Sequence, residues 1–346
     1  MGMLTAISAE EIRRRGSIRD SDVAALRAAY TSCDEVADDD AAALFALHAA
    51  TPIQDPSWAD LFLEVIGHYV VDQAEPAGYL VAENSRWLIE QASTFGRIET
   101  STELALLLHV LERGRWSPPS LSAFALDQVR HAIETGKGPL RAARRVPAGT
   151  ISASEVALVG RILRAFGRET TVPLTRAEAD ALLAINRVIA SDGASPAWTE
   201  LLVRTVGSGV LASLGHAVAP RSELIDTLGT SDGAASLIAA LMGDDPWHAG
   251  GDHGGSAVVA DSCRVWRSAR LLAPEERALS RLERQRLEIV TNEVIEEPDE
   301  TWLIDALARS PSDNQTEMAL LDFIIREAAT VPAALTEYAE QRAIAA

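Results

Sequence analysis

"GTISASEVALVGRILRAF", residues 149–166, echoes an earlier stretch, "GSIRDSDVAALRAAYTSC", residues 16–33. Both open with Gly-x-Ile. Ile18 then matches Ile151, Asp22 matches Glu155 and Val23 matches Val156, all at one constant offset. Recurrence at a long, fixed spacing marks a chain assembled from similar units that stack to bury a shared core.

The match extends outward. Residues 38–50, "DDDAAALFALHAA", correspond to residues 175–189, "TRAEADALLAINRVI". Residues 55–71, "DPSWADLFLEVIGHYVV", correspond to residues 195–211, "SPAWTELLVRTVGSGVL", with Trp58 on Trp198. Residues 102–121, "TELALLLHVLERGRWSPPSL", correspond to residues 316–335, "TEMALLDFIIREAATVPAAL". Here Glu103 matches Glu317 and Pro118 matches Pro332 at a single shared offset, and Trp87 matches Trp302 just upstream. Trp198 and Trp302 stand much further apart in the chain than Trp58 and Trp87 do. The second copy therefore carries an insertion, at about 216–290.

The matched runs have helical period. Trp58, Leu61, Phe62, Val65, Ile66 and Tyr69 form one apolar stripe, as an amphipathic helix requires. Ser152 with Glu155, Thr175 with Glu178, Thr100 with Glu103 and Asn314 with Glu317 have the spacing of capping boxes. In such a box the first side chain accepts a backbone N–H three residues on, and the acid reaches back to the cap. Asp38, Asp39 and Asp40 precede another helix start. Four paired tryptophans (Trp58, Trp87, Trp198 and Trp302) are expected as core anchors. Alanine and leucine dominate the apolar content and aromatics make up 5%, which favours helix over strand.

The expected architecture is therefore all-α: two tandem diverged copies of a multi-helix unit. Copy one spans 16–135. A basic linker, 136–148, contains "GKGPLRAARR" and the chain's single lysine, Lys137. Copy two spans 149–340 and is interrupted by the insertion at about 216–290. The copies are expected to pack by their tryptophan-anchored faces.

The formal charge of −19 repels phosphate backbones and anionic membranes, so no nucleic-acid partner is expected. No apolar run has the length of a membrane span, and the two cysteines, Cys33 and Cys263, make no disulfide framework. A cytoplasmic protein is expected.

The Gly-x-Ile turn followed by an acid and an apolar helix occurs at Gly16, Gly96 and Gly149. It resembles the helical hairpins of TerB-like modules, the tellurite-resistance family. That resemblance implies an all-α fold and, through acids near the turns, metal handling. The family's Asp before the glycine is replaced here by Arg15, Phe95 and Ala148.

Chemistry-bearing motifs are scarce. No phosphate-binding loop, His-Glu-x-x-His or Cys-x-x-Cys occurs. "CDEVADDDAA", residues 33–42, lacks the alternating oxygens and turn glycine of a calcium loop. His48 and His109 fall on apolar helical faces and read as core or boundary histidines. The stretch that most resembles a site is "GDDPWHAGGDHGG", residues 243–255, where His248, Asp252 and His253 offer imidazole and carboxylate suited to a divalent metal. A glycine-rich loop must be ordered at about 1–2 kcal/mol per residue to hold them. The sequence thus points first to a non-enzymatic, acidic scaffold with a protein partner, then to a TerB-like metal-handling protein, with an enzyme last. No catalytic residue and no organic cofactor is expected.

Overall fold

The computed structural model describes residues 9–33, 35–73, 77–142, 146–165, 174–190, 193–226, 300–311 and 313–345. These residues are mostly helical, as the sequence predicts. The first half contains α1 (Ala9–Arg15), α2 (Asp20–Thr31), α3 (Asp38–Ala50), α4 (Ser57–Gly67), α5 (Ala82–Ala92), α6 (Ser101–Arg113) and α7 (Pro119–Thr135). A π-helical turn, His68–Asp72, continues α4. The second half contains α8 (Ala153–Ala165), α9 (Arg176–Val188), α10 (Pro196–Ser213), α11 (Arg221–Asp226), α12 (Glu300–Leu307), α13 (Gln315–Glu327) and α14 (Ala333–Ala345). Most of the stretch read as an insertion lies outside the described residues. No described helix is long and apolar enough to cross a membrane.

The helices start where the sequence places them. Thr100 and Thr175 each accept the backbone N–H of the glutamate three residues on, and each glutamate reaches back to the cap. Ser152 and Glu155 exchange the same bonds. Asn314 accepts the Glu317 N–H. Asp38, Asp39 and Asp40 sit within the first turn of α3, slightly later than expected, because Ala37 takes the cap position. Carboxylates there still favour the positive end of the helix dipole.

Gly16, Gly96 and Gly149 all have positive φ, at 69°, 75° and 76°. A side chain is disfavoured there, which explains the three Gly-x-Ile turns. Each turn buries its isoleucine: Ile18, Ile98 and Ile151. The first turn forms a short parallel ladder, β1 (Ser17–Ile18) on β2 (Ile53–Gln54). In the second half, the Ala190 N–H donates to the Gly149 carbonyl and the Ile151 N–H to the Gly193 carbonyl.

One apolar core runs through both halves. Trp58 and Trp198 are fully buried, Trp302 is nearly so, and Trp87 is only half-buried. Trp87 packs edge-on against Phe45 and Tyr69 at the margin. The halves meet differently from the expectation. Trp58 stays inside the first half, tilted against Phe62, and α7 instead lies along α8 and α9. α7 carries a long apolar face, with Leu126, Val129 and Ile133 buried.

The basic linker is partly buried. Leu140 and Arg141 are buried in a 3₁₀ turn, Pro139–Arg141. The Arg141 guanidinium bonds both oxygens of Glu155, at 2.7 and 3.0 Å, and the carbonyls of Val146, Pro147 and Thr150. Arginine is fully charged and forked, so it is buried only where such a set of acceptors awaits it.

Candidate functional site

Two buried polar junctions stand out against the apolar core. In the first half, α3, α4 and α6 meet at His48. Its Nδ1 accepts the indole N–H of Trp58 at 3.1 Å and the amide of Gln54 at 3.0 Å. Those two donors place the ring proton on Nε2, which donates to the Thr100 hydroxyl at 3.1 Å. The Phe62 ring stacks on the imidazole at 5.0 Å. Burial pushes the His48 pKa down, against the smaller upward pull of Glu103. The ring is a neutral bridge whose two nitrogens are both engaged.

In the second half, α9, α10 and α13 meet at Asn186. Its Oδ1 accepts the indole N–H of Trp198 at 3.0 Å. Its Nδ2 donates to Asn314 at 3.3 Å and to Glu317 at 3.1 Å. Glu317 also accepts from Arg342 at 2.7 Å, and both side chains are buried. The two junctions share one plan: an indole donates to a planar group, which donates on to a helix cap. Imidazole and carboxamide both supply an acceptor and a donor in one plane, so either serves.

The helix crossings beside the junctions also correspond. Gly67 on α4 faces the His109 ring on α6, and Gly207 on α10 faces the Phe323 ring on α13. A bare Cα lets an aromatic side chain approach the helix backbone.

Two clefts open nearby. One, about 450 Å³, lies beside Asn186 and is bordered by Ile189, Ala194, Thr199, Val203, Asn314 and Thr316. That volume falls in the range of small-molecule sites. The other, about 280 Å³, lies between the α6 start and the α7 end and includes Arg97, Glu99, His131 and Lys137. Its Arg97 already pairs with Asp127 at 2.5 Å.

His248, Asp252 and His253, the metal ligands suggested by the sequence, lie outside the described residues. Among the described residues no group of three or more His, Cys, Asp or Glu converges as a metal site. Three acids at helix starts are committed elsewhere. Asp22 holds Arg15 and the Arg19 N–H. Glu155 holds Arg141. Glu178, fully buried, holds both terminal nitrogens of Arg221 at 2.9 and 2.7 Å. The capping role of these acids is readable from the sequence, but the arginine partners are not. Arg221 and Arg342 lie far along the chain from Glu178 and Glu317, and no local pattern announces them.

No family model matches the chain, and no curated protein or solved structure matches it either.

Proposed function

We propose that the chain is a two-unit helical scaffold, built by internal duplication, that acts by binding a protein partner and not by catalysis. The corresponding junctions, Trp58–His48–Thr100 and Trp198–Asn186–Asn314, carry this reading. Chemistry at the histidine position is dispensable, since asparagine fills it in the second unit with the same bonding plan. A general base or metal ligand is not replaced by a carboxamide without loss of the reaction, whereas a structural bridge is.

Partner binding is supported by the acidic balance of −19 and by Phe95. Its phenyl is fully exposed at the tip of a turn, and its backbone is held at φ 51°. A strained, exposed aromatic is retained against its own cost when it has a role, and aromatics are frequent anchors of protein interfaces.

The test is affinity capture with the full-length chain, its Phe95→Ala variant and a variant lacking residues 227–299, with metal analysis of the purified protein. One protein captured by the wild type and lost with Phe95→Ala supports the reading. If the deletion variant loses it as well, the docking surface extends into the removed segment. Stoichiometric metal lost on the double change His248→Ala and His253→Ala, with no protein captured, would overturn the scaffold reading in favour of TerB-like metal handling.

A further inference from the structure

We infer that the cleft beside Asn186 is a binding site for a small carboxamide. This rests on the two-unit reading. In the first unit the same place is filled by the chain itself. Gln54, one helical turn's length before Trp58 in the sequence, turns its amide onto the end of α3. There its two N–H groups lie within bonding distance of three acceptors, the His48 and Thr51 carbonyls at 3.0 and 2.9 Å and His48 Nδ1 at 3.0 Å. Thr51 ends α3 with its N–H on the His48 carbonyl, and Ile189 ends α9 with its N–H on the Asn186 carbonyl. The acceptors that hold the Gln54 amide thus have counterparts at Asn186 and Ile189.

The donor does not. At the matching distance before Trp198 stands Ala194. Its methyl group leaves unfilled the volume that a glutamine side chain occupies in the first unit, and a cleft of about 450 Å³ is found there. Ile189, Ala194 and Val203 give it apolar walls. Thr199 and Thr316, with hydroxyls 3.0 Å apart, and Asn314 give it polar groups. A ligand with a primary amide on a short aliphatic stem satisfies the carbonyls and the walls together. A carboxylate of the same shape brings acceptors to acceptors and a charge beside Glu200, so it is rejected.

The probe is propionamide, the side-chain fragment of Gln54, with propionate as its isosteric control. Binding is read from the Trp198 indole N–H resonance of the isotopically labelled full chain, because that N–H bonds to Asn186 at the cleft. Propionamide is expected to shift the resonance saturably in the millimolar range, while propionate leaves it in place. Ala194→Gln is expected to abolish the shift and raise the melting temperature. Ala194→Leu, which fills the space without a donor, is expected to abolish the shift as well. No saturable shift in the wild type, or a shift that persists in both variants, overturns the inference. A structure of Ala194→Gln separates the two levels. If the introduced amide donates to the Ile189 carbonyl while propionamide fails to bind, the ligand site is wrong and the two-unit reading stands. If that amide points elsewhere, both fall.

Discussion

His109 lies against Gly67 so closely that a Cβ on the glycine would sit 2.8 Å from its Cδ2 and Nε2 atoms. The corresponding pair is tighter, with a Cβ on Gly207 falling 2.5 Å from Phe323. Alanine in place of glycine normally stabilises a helix by about 1 kcal/mol. Here the clash outweighs that gain, because each half-buried ring must shift from its place against the neighbouring helix, at a strain of about 1–3 kcal/mol. Gly207→Ala is expected to lower stability in urea unfolding, and more so than Gly67→Ala. A rise in stability for Gly207→Ala would show that the crossing is loosely packed.

The same contact makes stability depend on pH. Burial, and then the Arg113 charge, pull the His109 pKa down to about 4, despite Glu112 and Asp72 nearby. The unfolded value is 6.5. The unfolded chain therefore binds the proton first, and stability falls as pH drops from 6.5 towards about 4. One such group contributes up to about 3 kcal/mol over that interval. His109→Phe, the residue found at position 323, is expected to flatten the urea-unfolding profile over that range. An unchanged acid-side slope would remove His109 from the account.

Trp58 and Trp198 separate a redundant bond from a sole one. Replacing Trp58 by Phe leaves His48 Nδ1 still bonded by Gln54. Replacing Trp198 by Phe removes the indole donor to Asn186 Oδ1, and a buried carbonyl without a partner costs about 1–3 kcal/mol. Both changes leave a similar void. The difference in unfolding free energy between the two variants, with Trp198→Phe the weaker, reads the orphaned acceptor.

Arg141 and Glu155 expose 1% and 2% of their side chains. Removing one partner from such a pair leaves an uncompensated buried charge, at a cost of about 3–5 kcal/mol. Arg141→Met is expected to fall in that range, and added salt should hardly change the difference because a buried pair is weakly screened. A loss no larger than that of a surface pair, about 0–1 kcal/mol, would contradict the burial.

Phe95 and Gly96 form the tip of a tight turn closed by mutual Thr94–Arg97 hydrogen bonds at 2.8 and 3.0 Å. Both have positive φ, the condition that favours Asn-Gly in such turns. Phe95→Asn is expected to raise the melting temperature and stability by about 1 kcal/mol. If the same change abolishes partner capture, strain and function coincide at one residue.

Helix type and most helix starts were legible from local chemistry. Helical period in the apolar residues, a threonine or serine before an acid at fixed spacing, and glycine at positive φ act over short stretches, so sequence displays them. The core role of Trp58 was likewise legible from the stripe that it shares with Leu61 and Phe62. Trp87 was misplaced because a helix at the margin shows the same period as one at the centre. The docking of α7 onto α8 and α9 was also missed, since an apolar face does not name what will cover it.

By itself, the sequence determined an all-α chain with caps and turns at named residues, and it exposed the recurrence that links residues 16–33 to 149–166. Only the tertiary structure decided that the acids at those caps would be closed by Arg141, Arg221 and Arg342. The matched stretches already pair His48 with Asn186, but only the structure showed that each accepts a tryptophan indole N–H and that a cleft opens where Ala194 stands in place of Gln54. These relationships join residues far apart in the chain. Their geometry follows from how helices pack around one core, which local pattern does not encode.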